Sequence, residues 1–78
     1  MVTMQATVLR VEQDHLLVFE RGMDRRVIVH TGEACDFRRG DRVCIRYSGA
    51  MTLSIPPQIS AITIRKLPRF GFWHRSCR

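Results

Sequence analysis

Residues 4–30 read MQATVLRVEQDHLLVFERGMDRRVIVH, and this stretch decides the fold class. Successive side chains of an extended chain point to opposite faces, so Met4, Ala6 and Val8 share one side. Leu9 and Val11 continue on the other side, a change of phase that predicts a bulge or strong bend within one long strand, Met4 to Glu12. Gln13-Asp14 supplies a tight turn, His15 to Glu20 a second strand, Gly22 to Asp24 another turn, and Arg26 to His30 a third strand. Short β-branched runs bounded by turn residues predict a meander.

Downstream, Thr31 to Asp41 is a longer connection, with one short helical turn predicted around Glu33 to Asp36. It ends in Phe37-Arg38-Arg39-Gly40-Asp41, a glycine turn that delivers the chain into a fourth strand, Arg42 to Tyr47. There Val43, Ile45 and Tyr47 alternate with Arg42, Cys44 and Arg46, which predicts an apolar inner face and an arginine-lined outer one. A loop through Pro56-Pro57 leads to a fifth strand, Ile59 to Leu67, with Ile62 and Ile64 as its expected inward pair. Five short strands with a long connection after the third predict an all-β fold, a small five-stranded OB-like barrel over residues 1–67. Residues 68–78, PRFGFWHRSCR, form a basic, aromatic C-terminal tail.

A chain of 78 residues allows one domain, and one that buries only about 60% of its unfolded surface. Apolar residues at 45% and charged residues at 26% exclude a disordered chain and describe a globular one. The imbalance lies in sign: 13 basic residues stand against 7 acidic ones, a formal net charge of +6. Met1 to Asp41 carries 6 basic and 7 acidic residues, whereas Arg42 to Arg78 carries 7 basic and none acidic. A basic half attracts phosphate, an anionic membrane or an acidic partner, although net charge of this size also keeps small domains dispersed.

No basic stretch followed by a long apolar run opens the sequence, so a cytoplasmic protein without a secretory signal is expected. Residues 47–64 are 18 uncharged positions, yet Pro56-Pro57 and the interspersed Ser, Thr and Gln argue against a membrane span. Three cysteines, Cys35, Cys44 and Cys77, with no paired C-x-x-C spacing, lead to an expectation of reduced thiols.

Tyr47-Ser48-Gly49, then Ser54, then Pro56-Pro57-Gln58-Ile59 resembles the Y-x-G…S-x-P-x-Q-I signature of small, uncharacterised bacterial OB-like domains of the YobA-like group. Phe37-x-x-Gly40-Asp41-x-Val43 and Thr7-Val8-Leu9-x-Val11 fit the same pattern, so the likeness spans roughly residues 5 to 66. Members are often exported or lipid-anchored, and this chain departs from them in its tail and at Met51-Thr52, where an acidic loop is more usual. The resemblance implies a fold and brings no catalytic residues.

Chemistry has little to draw on. His30, Cys35 and Cys44, even joined by Cys77 or His74, lack the tight paired spacing of zinc ligands, so no metal or other cofactor is expected. There is no G-x-S-x-G, every carboxylate precedes Arg42, and the glycines are scattered singly, so an enzyme is not expected. A protein-interaction or structural module is the leading reading, working through the uncharged Met51-to-Gln58 loop and the apolar tail, by self-association or with a protein partner. The alternative is single-stranded nucleic-acid binding by the basic, aromatic C-terminal region. The candidate binding surface comprises Arg42, Arg46, Arg65, Lys66, Arg69, Phe70, Phe72, Trp73 and Arg75. On the second and third strands, Phe19, Arg21, Arg25, Arg26 and His30 offer a thinner platform, which Glu20 and Asp24 are expected to interrupt, with Phe19 open to either face.

Overall fold

A computed structural model describes residues 1–68. Five strands, β1 (Val2–Val11), β2 (His15–Glu20), β3 (Arg25–His30), β4 (Arg42–Tyr47) and β5 (Gln58–Lys66), close into a barrel in the order β1-β2-β3-β5-β4. All neighbours are antiparallel except β3 and β5, which run parallel over Ile28–His30 and Gln58–Ser60. β1 pairs with β2 on one side and β4 on the other, a double duty that its 10-residue length permits. The order is that of a five-stranded OB-like barrel, as the sequence predicts.

Alternation builds the interior. Met4, Ala6 and Val8 of β1, Leu16 and Val18 of β2, and Val27 and Val29 of β3 point inward and are buried. Val43, Ile45 and Tyr47 of β4 and Ile59 and Ile64 of β5 complete the core. The β3–β4 connection carries a single 3₁₀ turn, Ala34–Asp36, and Ala34 and Phe37 join the core from it. Those residues occupy the place predicted for a helical turn.

Two bulges set the phase of the side chains. The first lies in β1, where Val8 faces Val18 and Arg10 faces Leu17, leaving Leu9 as the extra residue. It is the phase change predicted from Met4 to Val11. Gly40, in the left-handed region at φ 93°, lets the turn close back on this site. Its amide donates to the Val8 carbonyl at 2.7 Å, and the Val8 amide donates to the Asp41 carbonyl at 2.8 Å.

The second bulge corrects the sequence reading. Arg46 pairs with Thr63 but Tyr47 pairs with Ala61, so Ile62 is the extra residue of β5. It is 53% exposed, and only Ile64 of the expected inward pair reaches the core. The strand therefore turns Ile59 and Ile64 inward, five positions apart, where strict alternation would need an even spacing.

Cys44 requires a second correction. Its register position is outward, between Gln5 of β1 and Arg65 of β5, yet these longer neighbours flank a side chain that is buried. Cys35 is free and exposed.

Candidate functional site

The barrel brings together some of the residues singled out from sequence and separates others. Arg46 and Arg65 meet at one hollow on the outer side of β4 and β5, beside Glu33, Ile62 and Thr63. Arg42 lies on the same strand as Arg46 but turns toward β1 and β2, where it lines a different hollow with Thr3, Gln5 and Arg21. Lys66 sits opposite the inward-facing Val43 at the barrel mouth, exposed, with its ammonium 3.7 Å from Asp41. Arg69, Phe70, Phe72, Trp73 and Arg75 lie outside the described residues.

The β4–β5 loop, residues 48–57, is the most distinctive surface feature. Leu53 is 100% and Ile55 98% exposed, on a segment that is nonetheless tightly bonded to itself. The Gln58 amide donates to Thr52 Oγ1 at 2.9 Å, and the Thr52 and Ser54 hydroxyls meet at 2.6 Å. The Ser54 hydroxyl also donates to the Pro56 carbonyl at 2.9 Å. The Thr52 amide donates to the Gln58 carbonyl at 3.1 Å, and the Ile28 amide donates to the Pro57 carbonyl at 2.9 Å, which ties the loop to β3. Pro56 follows a cis peptide bond, and neither proline has an N–H to leave unpaired. These hydrogen bonds fix the base of the loop and hold Leu53 and Ile55 out at its tip.

Register places a second group of side chains on the outer face of β1, β2 and β3. Arg42, Thr7, Phe19 and Arg26 form one cross-strand row. Arg10, Leu17, Ile28 and Gln58 form the next. His15, His30 and Ser60 form the third, with the two imidazole rings 5.8 Å apart. Phe19 is thus an outward, half-buried ring, which the sequence had left open. Glu20 does not interrupt this face: it points inward at the barrel end, 9% exposed, and accepts a hydrogen bond from Arg25 Nε at 2.8 Å. No signal short of the strand register could have assembled these rows.

His15 Nδ1 and Asp14 Oδ1 lie 2.8 Å apart, and this contact holds the Asp14 carboxyl below its ordinary value of 3.8. His30 Nε2 meets Gln58 Oε1 at 2.8 Å above a shallow cleft of about 370 Å³ that also takes in Ser48, Met51, Thr52 and Ser60. Among the described residues no group of three or more His, Cys, Asp or Glu could hold a metal ion, and no helix is long and apolar enough to cross a membrane.

The chain matches no family model, no curated protein and no solved structure.

Proposed function

We propose that this chain is a non-enzymatic protein-interaction module whose contact surface centres on Leu53 and Ile55. The observation that carries the reading is their almost complete exposure on a loop fixed by its own hydrogen bonds. A backbone already fixed by its own hydrogen bonds gives up little further conformational freedom when a partner covers the side chains it carries. Burying both contributes at most about 3–6 kcal/mol, short of the roughly 8 kcal/mol of a micromolar complex. The loop therefore acts as the centre of a larger or weak contact.

A second copy of the chain is the partner to test first, by comparing the parent with the Leu53→Ser, Ile55→Ser variant in sedimentation experiments. The residues of the YobA-like signature support the same reading, because they build this loop. Tyr47 anchors its start in the core, Gly49 turns it at φ 105°, and Ser54 and Gln58 bond it internally. We extend the proposal to membership of that group.

A second reading, single-stranded nucleic-acid binding by the basic C-terminal region, is favoured by the juxtaposition of Arg46 and Arg65 at one hollow. Titrating a single-stranded oligonucleotide into the Arg65→Gln, Lys66→Gln variant tests it, with loss of a salt-sensitive affinity expected.

A further inference from the structure

We infer that the outer face of β1, β2 and β3 is a single-stranded nucleic-acid site of about three or four nucleotides, with Phe19 as its stacking platform and Arg26 and Arg42 as its phosphate contacts. This face is separate from Arg65 and Lys66, and it shares with the nucleic-acid reading above only the class of ligand.

The row Arg42–Thr7–Phe19–Arg26 places an outward aromatic ring between two arginines, with the small Thr7 leaving one flank of the ring uncrowded. Neighbouring strands lie about 4.8 Å apart, so Arg26 stands one strand and Arg42 two strands from the ring, on opposite sides of a base lying on it. Neither of these two cations is committed to a carboxylate, and Arg21, exposed beside Arg42, adds to the same charge. Arg10 is paired with Glu12 at 2.7 Å and Arg25 with Glu20 at 2.8 Å. Arg26 and Arg42 are exposed and have no ion-pair partner among the described residues. Arginine suits such a role because its planar fork meets phosphate oxygens in pairs.

The next two rows continue the track. Leu17 and Ile28 offer an apolar step that Pro56 of the loop borders, and His15 and His30 offer two imidazole faces. Rows on one face of a strand repeat about every 6.8 Å, room for one splayed base per row. The resulting footprint lies at the small end of the sites of about 4–16 nucleotides found on barrels of this size. Stacking on Phe19 requires an unpaired base, which a duplex does not offer.

The test is fluorescence anisotropy with an oligothymidylate and an oligouridylate of about 12 nucleotides, against the full chain, starting near 50 mM salt. The parent is expected to bind the single strands more tightly than a duplex. Tighter binding of the uridylate identifies RNA as the ligand, and tighter binding of the thymidylate identifies DNA. Phe19→Ala should weaken binding by between about fivefold and a hundredfold, the loss expected for one base–aromatic stack, and Phe19→Tyr should keep it. Arg26→Gln with Arg42→Gln should reduce the slope of log affinity against log salt by about 1.4, two phosphate contacts at roughly 0.7 each. Both arginines are exposed, so this variant decides the question should Phe19→Ala fail to fold. Unchanged affinity in these variants, with loss in Arg65→Gln, Lys66→Gln, would overturn this site while leaving the C-terminal reading intact. No binding by the parent would overturn both.

Discussion

Arg25→Met is expected to destabilise the barrel more than Glu20→Leu, although Glu20 is the more deeply placed partner. The two residues face each other in the β2–β3 register, flanking a turn in which Gly22 and Asp24 adopt left-handed backbone. The Glu20 side chain is 12% exposed and that of Arg25 37%. Removing the arginine leaves a largely desolvated carboxylate with its Arg25 contact gone. Removing the glutamate leaves a guanidinium that water already reaches. Breaking a fully buried pair costs about 3–5 kcal/mol. Solvent access to Arg25 lowers this to roughly 1–3 kcal/mol, within a total of about 4–12 kcal/mol for a chain of this length.

At about 4–8 °C per kcal/mol, Arg25→Met should melt roughly 5–20 °C below the parent. Urea unfolding at neutral pH, followed by circular dichroism, gives the comparison directly. The double variant Glu20→Leu, Arg25→Met should recover part of the loss, since no charge then remains at the barrel end. If Arg25→Met falls within about 0.5 kcal/mol of the parent, or costs less than Glu20→Leu, the assignment of Glu20 as a buried, arginine-dependent charge is wrong.

Leu16 is fully buried at the heart of the core, and Leu16→Ala should cost about 2–5 kcal/mol in urea unfolding, enough to populate unfolded chain at 37 °C. Gly49 lies at φ 105°, and a Cβ there would stand 3.3 Å from Val2 Cγ2. Gly49→Ala should therefore lose about 1–3 kcal/mol, whereas a parent-like melting temperature would argue against that backbone geometry. Asp14 should titrate below 3.8 by NMR, because its contact with His15 favours the ionised form. Its folded value is depressed, so its contribution to stability is present above 3.8 and fades as pH falls through the lower folded value. Asp14→Asn should accordingly flatten the acid limb of the stability curve.

Much of the barrel is legible in the sequence because half-buried strands alternate. β2 and β4 have the bounds predicted for them, and the bulge at Leu9 shows as a phase change among apolar residues. The bulge at Ile62 leaves no such mark. Ile59, Ile62 and Ile64 read equally well with or without an extra residue, and only the differing partners of Arg46 and Tyr47 in β5 reveal it. The loop was recognisable as uncharged and restricted. The exposure of Leu53 and Ile55 was not, because it depends on Thr52, Ser54 and Gln58 bonding across the loop rather than on any local preference. The row through Phe19 depends on the registers of three strand pairs at once, and no single segment encodes it.

The central claim is that the Leu53–Ile55 tip is a contact surface, and sedimentation equilibrium into the millimolar range tests it most directly. That concentration follows from the roughly 3–6 kcal/mol which two aliphatic side chains supply. The parent should show a reversible, concentration-dependent dimer, and Leu53→Ser, Ile55→Ser should remain a single chain throughout. A parent that stays a single chain at every concentration, or a variant that associates as strongly as the parent, would contradict it.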